Sequence, residues 1–162
     1  MNIRLKPDAK LRNAWFVPDA MSHPAKGHLG MWWEIFEKYT KPGQWVLDPM
    51  GGIGSSLIGA MMGRNVICNE MESHFIIPML ASWHKMSQQA MLGCEKGQAV
   101  IIQGDARCLP LASVEVVITS PPWEDNLPNH SIGAADFAPI GGIRHKGLGY
   151  TRLAAVITSP PY

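Results

Sequence analysis

Apolar positions along this chain fall into short runs, and the spacing within the runs switches between two periods. Trp32, Ile35, Phe36 and Tyr39 recur at helical spacing, which predicts a helix over residues 31–39, stopped by Lys41-Pro42-Gly43. The next apolar run, Trp45-Val46-Leu47 with Asp48 at its end, reads as a short buried strand. A glycine-rich turn over 49–54 leads into a helix over 55–62 that Gly63 closes. Residues 65–69 read as a second strand, 75–92 as a mostly helical stretch with Pro78 in its first turn, 99–103 as a third strand and 114–119 as a fourth. Residues 1–30, broken by Pro7, Pro18, Pro24 and Gly30, read as irregular backbone. The alternation of strand and helix predicts an α/β domain with a parallel sheet.

After residue 123 the pattern fades. Residues 124–150 are rich in Gly, Pro, Asn and His without periodicity and read as a long loop. The last eight residues, Ala155-Val-Ile-Thr-Ser-Pro-Pro-Tyr162, then nearly repeat Val116-Val-Ile-Thr-Ser-Pro-Pro-Trp123. One strand and its turn are duplicated, which is not the period of a solenoid.

Composition narrows the class. The 162 residues predict one domain with a real core, and 46% apolar against 17% charged residues is a globular balance. No run of 18 apolar residues occurs, and Met1 to Lys10 is polar and mixed in charge, so neither a membrane span nor a secretory leader is expected. Cys68, Cys94 and Cys108 are scattered and odd in number, and are expected to be reduced, buried thiols of a cytoplasmic protein. The net charge of +1 gives no support for nucleic-acid binding and counts against a self-sufficient DNA binder.

Two motifs carry chemistry. Asp48-Pro49-Met50-Gly51-Gly52-Ile53-Gly54 lies between a predicted strand and a predicted helix, where glycines let backbone approach a ligand. Glu70, at the end of the next strand, stands where an acid commonly holds ribose hydroxyls. The dinucleotide fingerprint is absent, because its third glycine position is Leu57. A nucleoside cofactor is the expectation, with the Asp48 carboxylate available to an amino group. The competing reading is a glycine turn that serves tight packing only. Gly104-Asp105, after the third strand, would put a carboxylate near an adenine amine, though such a dipeptide is as often a plain loop.

Ser120-Pro121-Pro122-Trp123 follows the fourth strand directly. The exocyclic amine of cytosine or adenine is a poor nucleophile because its lone pair is spread into the ring. A hydroxyl oxygen and a backbone carbonyl that both accept from that NH₂ would draw the nitrogen toward tetrahedral geometry. Prolines donate no N–H, and a flat aromatic beside them can stack on a base turned out of its helix. The competing reading is a proline-terminated strand with an aromatic in the core. Other residues read blandly. His23 and His28 have no cysteine or acid cluster nearby, so no metal site is expected. His74, His84, His130 and His145 read as surface or helix residues, and Trp32, Trp33 and Trp83 as packing residues. Arg144, His145 and Lys146 read as a solvated loop before they read as phosphate contacts.

Taken together the motifs resemble the DNA amino-methyltransferases, which modify the exocyclic amine of cytosine or adenine with S-adenosylmethionine (SAM). The family's Asp-Pro-x-x-Gly-x-Gly turn is matched by Asp48, Pro49, Gly52 and Gly54, with Met50-Gly51 as x-x. Its acidic strand end is matched by Glu70, and its (Asp/Asn/Ser)-Pro-Pro-aromatic motif by residues 120–123 and again by 159–162. His23-Pro24-Ala25-Lys26 resembles the segment that helps enclose the methionine end of SAM in members with the cofactor motif first. The resemblance covers residues 22–123 and implies a Rossmann-like class I methyltransferase fold, three-layered α/β/α with a parallel sheet and C-terminal strands missing. It implies SAM as cofactor, held by Lys26, Asp48, Pro49, Gly51, Gly52, Gly54, Glu70 and Asp105. Catalysis falls to Ser120, Pro121, Pro122 and Trp123. DNA is the implied partner, as in restriction-modification, with no membrane and no metal. Serine at the motif's first position points to cytosine.

The expected organisation is an irregular segment over 1–22, a SAM-binding core over 23–123, and a loop with the repeated motif over 124–162. The family's sheet has seven strands and this chain supplies four, or five with the repeat. A truncated chain, or one awaiting a missing C-terminal part or second subunit, is therefore expected, marginally stable alone. The alternatives are an RNA or tRNA guanine amino-methyltransferase, for which an RNA-binding domain ahead of residue 22 would be expected, and an inactive SAM-binding fragment.

Overall fold

The computed structural model describes residues 7–23, 26–89, 95–109 and 113–120, and the backbone of 155–158. Its strands are β1 (Trp45–Asp48), β2 (Asn65–Glu70), β3 (Ala99–Gln103), β4 (Val116–Thr119) and β5 (Ala155–Thr158). They form one sheet in the order β3-β2-β1-β4-β5, and every pairing is parallel. This is the Rossmann-like α/β arrangement. The chain winds outward from β1 to β3, then returns to the other side of β1, so the switch point lies between β1 and β4. The terminal repeat supplies the fifth strand, paired to β4 in register.

Alternation along the strands divides the core in two. Val46, Val66, Cys68, Val116 and Ile118 join one cluster, into which the helices pack. Leu47, Ile67, Val114 and Val117 form a second, with Trp45, Ile102 and Leu109 against it. Both faces are thus apolar, as parallel strands require. The helices are α1 (Ala9–Trp15), α2 (Leu29–Tyr39), α3 (Ile58–Met61) and α4 (Ser73–Ser87).

Several expectations are corrected. Residues 7–22 are not irregular: α1 and a 3-10 helix over Pro18–Ser22 fill them. The prolines bracket α1, and Pro18 sits in the first turn of the 3-10 helix, where its missing N–H costs no hydrogen bond. Arg12 donates to Asp8 at 2.6 Å and to the Gly27 carbonyl at 2.8 Å, and the same Asp8 oxygen accepts the Leu29 N–H at 2.9 Å. Trp15 and Phe16 reach the core. Pro78 lies inside α4 rather than in its first turn. There Ser82, fully buried, donates to the Pro78 carbonyl at 2.8 Å and accepts the Val17 N–H at 3.1 Å, fastening the N-terminal segment to α4. The helix expected over 55–62 divides into a 3-10 turn, Ser55–Leu57, and the short α3. Among the cysteines, Cys68 is buried but Cys108 is exposed, and Cys94 lies outside the described residues. Among the described residues no helix is long and apolar enough to cross a membrane.

Candidate functional site

The glycine turn leaves β1 at the carboxyl edge of the sheet, beside the switch point. Gly51 is pressed onto β2: its N–H donates to the Asn69 carbonyl at 2.7 Å, and a Cβ there would lie 2.3 Å from the Cys68 sulfur. Gly54 has φ +82°, in the left-handed region that side chains avoid. The turn's tightness therefore has a packing cause.

Glu70 ties the turn to the next strand. One carboxylate oxygen accepts the Gly52 N–H at 2.7 Å and the other accepts the Glu72 N–H at 2.9 Å. Each oxygen keeps a second acceptor site, so the carboxylate retains capacity for a diol. Asp48 is more enclosed, only 1% exposed. It accepts the Met50 N–H at 3.2 Å and a hydrogen bond from Ser56, yet burial pushes its carboxyl up to about 7. Cys68 stands next to it, within 3.4 Å of the Ser56 hydroxyl, and burial first and the Asp48 charge second push its thiol up. Pro49 lends its carbonyl to Asn69 at 3.0 Å.

Two residues organise this edge in ways the sequence did not specify. The Asn69 amide donates to the carbonyls of Pro49 and of Gly104, the latter at 2.8 Å, so it joins the ends of β1, β2 and β3. Its signal was a polar side chain at the end of an otherwise apolar strand. Its carbonyl oxygen, like the Ser55 hydroxyl, is buried and has no hydrogen-bond partner among the described residues. The second is His23, which belongs to the His23-Pro24-Ala25-Lys26 segment expected near the methionine end of SAM but had no contact of its own assigned. Its ring lies over Gly52, 3.4 Å from where a Cβ would stand, and packs on Phe75 with ring centroids 4.3 Å apart. His28 is elsewhere, capping α2 by accepting the Gly30 N–H at 3.1 Å. Among the described residues no group of three or more His, Cys, Asp or Glu gathers as a metal site would require.

The remaining predicted residues are not all drawn together. Lys26 is exposed and donates to the carbonyls of His23 at 2.6 Å and Met21 at 3.3 Å, bracing the loop that carries His23. Asp105 is held by Arg107, whose Nε sits 2.9 Å from both carboxylate oxygens, and that hydrogen bonding lowers its carboxyl to about 2. Ser120 follows β4, the strand next to β1 in the sheet, and is half-buried. Pro121, Pro122 and Trp123 lie outside the described residues, as does the second copy, 159–162. A depression lined by Pro42, Gly43, Gly63, Asn65 and Gln98 lies at the opposite edge, where the strands begin.

No family model matches the chain, and no curated protein matches it either. Solved structures do. Magnesium protoporphyrin IX methyltransferase from Synechocystis PCC 6803, with bound SAH, is 16% identical over 56% of this chain and 39% of its own, with a TM-score of 0.47. The Pyrococcus abyssi tRNA (uracil-54, C5)-methyltransferase in complex with S-adenosyl-L-homocysteine is 15% identical over 57% and 21%, with a TM-score of 0.45. The M. jannaschii tRNA m1G37 methyltransferase is 17% identical over 55% and 26%, with a TM-score of 0.44. The chain thus spans less than half the length of each. Identities this low say nothing about substrate.

Proposed function

We propose that this chain is the cofactor-binding and amine-positioning part of a SAM-dependent methyltransferase that acts on the exocyclic amine of a nucleic-acid base. The observation that carries the reading is the shared sheet edge. The Asp48–Gly54 turn, bound to Glu70 through the Gly52 N–H, ends β1, and the strand that leads into Ser120-Pro121-Pro122-Trp123 is its neighbour across the switch point. Ligands of open α/β sheets bind at that edge.

The residues fit such a cofactor. Glu70 would take the ribose hydroxyls with the acceptor capacity it retains, and Gly51, Gly52 and Gly54 would let backbone approach. Asp48 would face the methionyl ammonium, whose positive charge favours the ionised carboxylate that burial disfavours. SAM supplies an electrophilic methyl group. Ser120 and the carbonyls of the proline pair would accept from the target NH₂, and Trp123 would stack on the base.

DNA is the proposed acceptor and cytosine the proposed base, on the serine of the motif. Two of the matched structures are named as tRNA methyltransferases, so RNA is the second acceptor to assay. The test is transfer of labelled methyl from SAM to duplex DNA, single-stranded DNA and tRNA by the full-length protein. N4-methylcytosine in DNA supports the proposal. A methylated guanine amine in tRNA moves the reading to RNA. Calorimetry that detects no SAM binding overturns both.

A further inference from the structure

The two copies of the strand-and-turn repeat lie side by side in the sheet. Val116 is paired with Ala155, Val117 with Val156, Ile118 with Ile157 and Thr119 with Thr158. Each residue therefore sits opposite its own counterpart. Over Val-Ile-Thr-Ser-Pro-Pro the copies are identical, so that stretch cannot tell β1 which copy to take as its neighbour. The copies differ just before it, where Glu115-Val116 in the first stands against Ala154-Ala155 in the second.

Glu115 and Val116 of the first copy both touch β1. The Glu115 carboxylate accepts the Trp45 N–H at 2.9 Å, while the Glu115 N–H donates to the Trp45 carbonyl at 3.2 Å. Val116 pairs with Val46 and is only 2% exposed, in the main core cluster. Alanine in place of Glu115 offers no acceptor to Trp45, and alanine in place of Val116 leaves two methyl groups' worth of core unfilled. The opposite arrangement, with the second copy beside β1, is within reach of the chain. The segment 104–115 extends to about 40 Å, and the outer slot lies roughly 25 Å from the end of β3.

We infer that Glu115 and Val116 are positioning residues that select the first copy for the slot beside the glycine turn and leave the second copy on the outside. Which motif reaches the cofactor is then decided by a dipeptide ahead of the motif, not by the motif. The use of that slot rests on the function proposed above, whereas the choice of strand does not.

The test reads strand placement without cofactor. In full-length protein with Cys68, Cys94 and Cys108 replaced by alanine, Leu47→Cys is combined with Val117→Cys or with Val156→Cys. Leu47 and Val117 are register partners in the same cluster, so their cysteines fall within disulfide reach, whereas the next strand out lies about 9.6 Å away. With the native dipeptides only the 47–117 bond should form. Exchanging them (Glu115→Ala, Val116→Ala, Ala154→Glu, Ala155→Val) should shift the ratio of the two bonds at least tenfold toward 47–156. A ratio that stays within threefold overturns the inference. Where the exchange variant loses its cooperative melt, Glu115→Ala alone is read instead. One lost hydrogen bond should raise the 47–156 yield on the order of fivefold, and an unchanged yield overturns the inference too. SAM calorimetry on the native chain judges the proposed function separately.

Discussion

Asp48 is expected to oppose folding while it serves binding, and Asp48→Asn separates the two. The side chain is 1% exposed, and its carboxyl is pushed up to about 7 by burial, with Glu70 adding a smaller push in the same direction. Hydrogen bonds from Ser56 and the Met50 N–H recover only part of that cost. A raised folded pKa means that the native state binds the proton more tightly than the unfolded chain. Stability therefore falls as pH rises from about 4, the unfolded value, to about 7, and is level beyond it. The rise is roughly three units, which at 1.36 kcal/mol each gives about 4 kcal/mol lost above pH 7. Relaxation and water entry make that an upper figure. Asparagine keeps the shape and the oxygen that faces Met50 but carries no charge. Asp48→Asn should accordingly melt with the wild type near pH 4 and above it at pH 8, by about 16 °C at most. The same variant should bind SAM more weakly by roughly 1–3 kcal/mol, because a charge-assisted contact to the ammonium is lost. Thermal melts of both proteins from pH 4 to 8 provide the check. A difference in melting temperature that does not change with pH would refute the burial argument, and unchanged SAM affinity would refute the assigned contact.

Three further outcomes follow from the same edge. Glu70→Ala should weaken SAM binding by roughly 1–3 kcal/mol in calorimetry, and should also release the Gly52 N–H, read as faster amide exchange there. Gly51→Ala should cost roughly 1–3 kcal/mol in denaturant melts, because its Cβ would meet the Cys68 sulfur at 2.3 Å, and Cys68→Ala in the same chain should recover part of the loss. Ser120→Ala should cut methyl transfer on the order of a hundredfold with SAM binding intact, whereas Ser159→Ala should not; the reverse pattern would assign the chemistry to the second copy.

What was legible in the sequence, and what was not, follows from the range of the forces involved. β1 and β3 match their predicted bounds because each is a short apolar run with Gly or Pro marking its ends, although only β1 is a buried inner strand and β3 stands at the sheet edge with Val100 exposed. The glycine turn and Glu70 were legible for the same local reason. α1 was lost because Pro7, Pro18 and Pro24 suggested breakage, whereas Asp8 and Arg12 hold the helix through partners as distant as Gly27 and Leu29. Arg64 also escaped notice. It is buried, and it donates to the Phe36, Thr40 and Met62 carbonyls and to the Thr40 hydroxyl, so a cation closes the end of α2. Asn69 and His23 belong to the same class. Each is a polar residue whose meaning depends on a strand end or a turn far along the chain, and no window of a dozen residues contains both halves of the contact. The repeat illustrates this limit most plainly. Its two copies are locally alike, so the sequence could name both as candidates, but the sheet distinguishes them through Trp45, which belongs to neither copy.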